Sequence, residues 1–272
     1  MKRWMVVLAA MAFGGTNASA HEVLVAIGGP ATNPIGTALR DLEIDFESGV
    51  GAEDFLFKLR SQEWDLVVVQ TLNRFLPLFE FPIYQELEAH VDRGGTLHFQ
   101  MADLENLPSY WHGLLGIDGA VDLELPLQPI LVPTPAHPLW NTGGGGGFIG
   151  LKDERYPPDY GDSLVLAPGT FAVGYFGIDG PPAVAIGRDG RVVINGQQWD
   201  NWQSGADVAA NQLRWILSCK ADFDSDGDLT IFDFVAFQNL FDAGDPAADV
   251  FYDGRLDVFD FLAFFNQFED GC

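Results

Sequence analysis

The chain has 272 residues, with 14 Lys and Arg against 39 Asp and Glu, and a formal net charge of −25. It is 47% hydrophobic and 13% aromatic, enough for a substantial core, which excludes wholesale disorder. Such an acidic chain repels a phosphate backbone or an anionic membrane surface; nucleic acid is excluded as a partner, and divalent cations are favoured.

Lys2 and Arg3 precede an apolar stretch from Trp4 to Phe13, and Ala18-Ser19-Ala20 has the small-x-small pattern that signal peptidase reads. Residues 1–20 are therefore expected to be a signal peptide. Its apolar part is too short to span a bilayer, and no later stretch is long and apolar enough to do so. The mature protein is expected to be secreted or held at the cell surface, where disulfides are permitted.

Residues 21–218 alternate between strand and helix signals. Val23 to Ile27 is a short apolar run closed by Gly28-Gly29-Pro30, a buried strand and turn. Ala52 to Ser61 has helical spacing in Phe55, Leu56 and Leu59. Asp65 to Leu72, with Val67-Val68-Val69, reads as a second buried strand. Ile83, Leu87 and Val91 share one helical face, Gly94-Gly95 stops that helix, and Thr96 to Met101 is the third strand. This rhythm implies right-handed crossovers and a parallel sheet. Strand signals return at Phe171–Phe176, Ala183–Ile186 and Arg191–Asn195, the last two joined by a tight Gly187–Gly190 turn as a hairpin. Ala206 to Leu217 closes the domain as an amphipathic helix.

Three places give this order its resemblance to the class I glutamine amidotransferase-like fold, including trehalose-utilisation (ThuA-like) relatives. They are the Val23–Gly29 strand and turn, the Gly94-Gly95-Thr96-Leu97 entry to a central strand, and the Pro182–Ile194 hairpin followed by Asn211-Gln212-Leu213-Arg214-Trp215. The resemblance implies an α/β domain with a flavodoxin-like, mostly parallel sheet flanked by helices. True amidotransferases carry a nucleophilic Cys at a turn after a central strand. Here that segment reads His98-Phe99-Gln100-Met101-Ala102-Asp103, and neither cysteine lies in the domain. Amidotransferase chemistry by thiolate is thereby excluded.

Other catalytic signatures fail on context. Gly161-Asp162-Ser163-Leu164 spells a lipase-like motif, but mid-domain and with no histidine after His137. His21 abuts a parallel strand rather than the β-sandwich of a copper histidine brace. The Gly143–Gly147 run lacks the Lys-Ser/Thr of a phosphate loop. One constellation remains: His98, Asp103, Glu105, His112 and His137. Their spacing matches no ligand motif, and they are expected to be satisfied or solvated loop residues. Convergence at the C-terminal edge of the sheet, as a metal site or an acid/base pair, is the alternative. Tyr110, Trp111 and Trp140 nearby suit either sugar stacking or core packing.

Composition changes at Cys219. From there to Cys272 the chain holds thirteen acidic and two basic residues. The stretch Ala221 to Phe234 recurs as Ala248 to Phe261, a supersecondary unit used twice. In the first copy, Asp222, Asp224, Asp226, Asp228, Thr230 and Asp233 stand at positions 1, 3, 5, 7, 9 and 12 of a twelve-residue loop, with Gly227 at the sharp turn. That spacing suits Ca2+, a hard cation that takes six to eight oxygens; position 7 ligates through its carbonyl and position 9 often through water. The second copy keeps Asp249, Asp253, Asp257 and Asp260, offers the carbonyl of Arg255 at position 7, and has Phe251 where a carboxylate belongs. Weaker binding is expected there. Leu229 and Leu256 are expected to pair backbone to backbone between the loops.

This tail resembles a dockerin-type module of tandem calcium (EF-hand-type) loops, a small all-α unit, so residues 219–272 are set apart as a domain. In cellulosomal dockerins, small hydroxylated residues at loop positions 10 and 11 recognise cohesin. Here those positions are Ile231-Phe232 and Val258-Phe259, which argues against a cohesin. The phenylalanines are expected to pack helix 231–241 against helix 258–268, with an aromatic docking surface as the alternative. Cys219 and Cys272 flank the repeats; a bridge between them would tie the module's ends together, and two free thiols are the alternative. The whole reads as an exported calcium-binding modular protein with a non-catalytic amidotransferase-like domain, acting in binding or assembly on a protein or cell-surface partner. The runner-up is an extracellular hydrolase acting on carbohydrate.

Overall fold

A computed structural model describes residues 21–28, 34–71, 80–101, 103–123, 129–132, 138–140, 148–150, 161–199, 202–224, 228–250 and 255–271. The expected signal peptide 1–20, the glycine run, His137, Asp226, Gly227, Phe251, Asp253 and Cys272 lie outside the described residues. The first part of the chain runs β1 (Val23–Gly28), α1 (Pro34–Asp41), β2 (Glu47–Gly49), α2 (Gly51–Leu59), β3 (Leu66–Thr71), α3 (Phe81–Asp92), β4 (Thr96–Met101) and α4 (Tyr110–Leu115). It continues through β5 (Ile117–Asp122), β6 (Ile130–Leu131), β7 (Phe148–Ile149), β8 (Asp162–Leu166), β9 (Phe171–Phe176), β10 (Pro182–Gly187) and β11 (Val192–Asn195). Three helices close the chain: α5 (Gly205–Leu217), α6 (Ile231–Ala243) and α7 (Val258–Asp270).

Nine strands form one sheet in the order β2-β1-β3-β4-β11-β10-β9-β6-β7. The first five are parallel neighbours, which is the flavodoxin-like order, and the remaining four add antiparallel. Helices cover both faces, so the central strands are apolar on both sides. Val23, Val25, Val68 and Val193 face the layer that holds α1 and α5, while Leu24, Val67, Leu97 and Ile194 face α2, α3 and α4. The β10–β11 pair is the expected hairpin. A second, two-stranded sheet joins β5 to β8. It crosses so close to the main sheet that a Cβ on Gly196 would lie 2.1 Å from the Asp162 carbonyl, which fixes glycine there.

Beyond α5 the chain builds its own small core from Ala221, Phe237, Ala248 and Phe264, with Phe223, Phe234, Phe241, Phe261 and Phe268 packed around it. The rings of Phe237 and Phe264, equivalent in the two repeats, stack 4.1 Å apart at 7°. Both helices open on the same device. Thr230 caps α6 and Asp257 caps α7, and each is embraced three residues on by Asp233 or Asp260 in a capping box. Gly244, at φ 68°, ends α6 in the left-handed conformation glycine adopts at no steric cost. Leu229 and Leu256 both pack on this core, but no β-bridge joins them. Cys219 is disulfide-bonded.

The expected burial of the loop phenylalanines does not hold. Phe232 is 67% exposed and Phe259 63%, with Ile231 and Val258 equally open. The cap places positions 10 and 11 in the first helical turn, pointing away from the partner helix. Phe234, Phe237, Phe261 and Phe264 do the packing instead.

The pair α6–α7 meets the α/β domain at the N-terminal edge of the parallel sheet. Gly190, in the β10–β11 turn, faces the Gln267 amide of α7. Lys220 lays its ammonium 4.3 Å from the centre of the Trp215 ring of α5.

A substitution pair tests this division of the aromatics. Phe264→Ala should cost about 3–5 kcal/mol, whereas Phe232→Ser should cost less than about 0.5 kcal/mol, both read from thermal melts of the full chain. Equal losses would show that Phe232 is buried.

Candidate functional site

The acidic loop before α6 brings three carboxylates together. One oxygen each from Asp222, Asp224 and Asp233 lies within 4.8 Å of the others. Oxygens bound to one calcium ion at 2.3–2.6 Å are at most about 5 Å apart, so this spread suits a shared ion. Asp233 is fully buried and held from two sides: its Oδ2 accepts the Thr230 N–H at 2.8 Å and its Oδ1 the Asp224 N–H at 3.2 Å. Burial pushes its carboxyl up, but the backbone N–H groups of Thr230, Asp224 and Phe223 outweigh that and hold it below the ordinary range. The charge is thus fixed in place by the helix cap. Among the described residues, no such convergence occurs in the second loop, where Asp249 and Asp260 are buried and Asp257 caps α7.

In the α/β domain the two described histidines of the constellation separate. His98 is fully buried on the face toward α5, where its Nε2 lies 2.7 Å from Gln212 Oε1. Gln212 donates through its own Nε2 to Asn195 Oδ1 at 3.0 Å, so its Oε1 is the acceptor and His98 carries its proton on Nε2. Asn195 and Trp199 donate to the same oxygen, at 3.2 and 3.4 Å. Burial pushes the His98 ring down to about 4, against the opposing effect of the Gln212 contact, so it is neutral and structurally committed. His112 sits on α4, on the opposite face, and lines an open cleft of about 540 Å³ with Asp118, Thr170, Arg188 and Asp189 at the N-terminal edge of the sheet. Asp103 is buried just past β4. The cleft that His112 lines includes none of His98, Asp103 and Glu105, and His98 faces the other side of the sheet, so the two histidines stand apart. Trp111 and Trp140 are buried, Trp140 donating to the Val173 carbonyl at 2.8 Å, and serve packing rather than a ligand. His21 lies 3.7 Å from Asp65 at the exposed start of the domain.

Glu105 has a different partner, which the sequence did not reveal. It is half-buried and meets the fully buried Asp162, the second residue of the lipase-like tetrapeptide. Asp162 Oδ2 accepts the Leu104 N–H, while its Oδ1 and Glu105 Oε2 are buried without any other partner. Burial and the neighbouring carboxylate both penalise the charge on Asp162. Burial first, then the charge and hydrogen bond of Glu105, raise the Asp162 carboxyl to about 9, with the Leu104 N–H opposing and Asp122 adding. Only the register of β8 against the turn after β4 creates this pair; no spacing in the sequence carries it.

No protein-family model matches this sequence, and no curated protein does. Among solved structures, the chain is similar to a glutamine amidotransferase from Thermotoga maritima, at 9% identity and a TM-score of 0.47, covering 92% of this chain and 97% of that one. It is also similar to a glutamine amidotransferase from Methylobacillus flagellatus, at 11% identity and a TM-score of 0.40, covering 92% of each. Likeness of that degree carries no argument about activity.

The carboxyl pair has a pH signature. Unfolded, Asp162 ionises near 3.9; folded, near 9. Between those values the folded chain binds the extra proton, so the stabilisation is complete below about pH 4 and is lost as pH rises toward 9. Asp162→Asn keeps an acceptor for Leu104 and supplies a permanent donor to Glu105. It should flatten the decline in melting temperature between about pH 5 and 8 and stabilise the domain at pH 8 by about 1–3 kcal/mol. Parallel wild-type and variant profiles would refute the raised Asp162 carboxyl.

Proposed function

We propose that the chain is an exported calcium-binding modular protein. Residues 1–20 direct export, residues 21–218 form a non-catalytic binding domain, and residues 219–272 form a calcium-ordered module that docks on a protein or cell-surface partner. The observation that carries this reading is the approach of Asp222, Asp224 and Asp233 to within 4.8 Å. Bound there, Ca2+ supplies charge neutralisation and a fixed coordination frame. Asp222, Asp224 and Asp233 hold it together with Asp226, the Asp228 carbonyl and, through water, Thr230. The second loop offers Asp249, Asp253, the Arg255 carbonyl, Asp257 and Asp260, and binds more weakly for want of a carboxylate at Phe251.

The disulfide of Cys219 is assigned to Cys272, the only other cysteine of the chain. In the chain-entropy model a loop of this length is worth roughly 3–4 kcal/mol. The docking face is the exposed set Ile231, Phe232, Val235, Val258, Phe259, Leu262 and Phe265, each at least 44% open and drawn from equivalent turns of both repeats. Large apolar residues exposed together in this number mark an interaction site. A catalytic role is disfavoured by the missing thiol and by the commitment of His98 to Gln212. The runner-up, a hydrolase of carbohydrate, finds only the Glu105–Asp162 pair. Those carboxyls touch, whereas glycosidase carboxyls stand about 5 Å or more apart.

Calcium should raise the melting temperature of the full chain over that in chelator, by about 2.7 kcal/mol of stability at a hundredfold excess over Kd. Asp224→Ala should remove most of that gain. Superimposable melts with calcium and with chelator would overturn the reading.

A further inference from the structure

At the C-terminal end of the parallel sheet, three amide side chains stand in register: Gln70 on β3 beside Gln100 on β4, and Gln100 beside Asn195 on β11. The Asn195 amide is fully employed. It exchanges hydrogen bonds with Gln212 and reaches the Phe99 carbonyl at 3.4 Å. Gln100 is not: its side chain is completely buried, and neither Oε1 nor Nε2 has a partner. Two residues past Asn195, Gln197 is equally sealed and equally unpartnered, its position fixed by a backbone bridge to Gly161. Gln198 follows, giving its N–H to the Thr71 carbonyl and leaving Oε1 unused.

Five amide heteroatoms from three residues are therefore buried without partners at one edge of the sheet. Native proteins leave few buried polar atoms unpaired, and each calls for a water or a ligand. Open α/β sheets take their ligands at this edge. Among the described residues, the small module meets the opposite edge, through Gly190 and Gln267.

We infer that Gln100, Gln197 and Gln198 form the polar floor of a site for a small uncharged polyhydroxylated ligand, a sugar or polyol. The amides carry no charge, so an ionic ligand would surrender its hydration for no counter-charge on them. An apolar ligand would leave all five atoms unsatisfied. A hydroxyl both donates and accepts, so two neighbouring hydroxyls can serve one amide's carbonyl and N–H together. This deepens the binding role proposed for residues 21–218 and makes no use of calcium.

The test is a titration of the full chain with glucose, a disaccharide and myo-inositol, followed by tryptophan fluorescence and by melting temperature, with glucuronate and glucosamine as charged counterparts. Polyols stabilise any protein without saturation by being excluded from its surface, so the readouts are saturation and the difference between variants. Saturable binding of at least one neutral probe is expected, weakened about tenfold by Gln100→Leu and by Gln197→Leu, with neither charged probe binding. Should a leucine variant fail to fold, Gln100→Met and Gln197→Met replace it with nearly the same length. No saturable neutral probe, or binding unchanged in the variants, overturns the inference and leaves the amides to water. Either way the calcium-dependent melt is unaffected, so failure here is separable from failure of the calcium reading.

Discussion

Like charges resist being held together, and the tail of this protein holds three of them. Two unit charges 4 Å apart repel by about 4 kcal/mol at the effective dielectric of a protein surface. Asp222, Asp224 and Asp233 offer oxygens all closer than 5 Å. The cap of α6 leaves Asp233 no retreat, because the N–H groups of Thr230 and Asp224 pin both of its oxygens. The proposed divalent ion resolves that conflict, and through the shared residues it couples the loop to the helix. Ordering of α6 then fixes Phe237 against Phe264 and leaves Ile231 and Phe232 turned outward. Charge in the loop and apolar surface on the helix are thus parts of one device.

The α/β domain is organised by a neutral polar hub. Gln212 Oε1 takes hydrogen bonds from His98, Asn195 and Trp199, which ties α5 to β4 and β11. The result converts the most reactive-looking residue of the domain into a structural one. It also separates the two ends of the sheet. The carboxyl pair and the unpartnered amides belong to the C-terminal edge, and the module meets the N-terminal edge.

Much of this architecture was legible in the sequence, where burial left a one-sided signal. Val67-Val68-Val69 and Thr96–Met101 read as buried strands because helices cover both of their faces. The Pro182–Asn195 hairpin was set by its turn. Helix α1 was missed because it is short and opens on Pro34-Ile35-Gly36, and β2 because Glu47-Ser48-Gly49 is a polar edge strand with two exposed residues. The orientation of α6 was not readable for a different reason: Ile231, Phe232, Phe234, Val235 and Phe237 leave its first turns no polar face, so periodicity cannot say which side is the core. The candidate site divided in the same way. The acidic spacing of the first loop announced itself through local sequence. The Glu105–Asp162 pair and the Gln100–Gln197 edge arise from chain crossings more than fifty residues apart in sequence, which no local pattern records.

Counting ions is the most direct check on the central claim. Equilibrium dialysis of the full chain against calcium, with the metal content measured afterwards, should show one saturable high-affinity ion per molecule, absent in Asp222→Ala, and a second filling only at higher concentration. Calcium content that rises linearly with the bath, identically in protein and variant, would contradict the account.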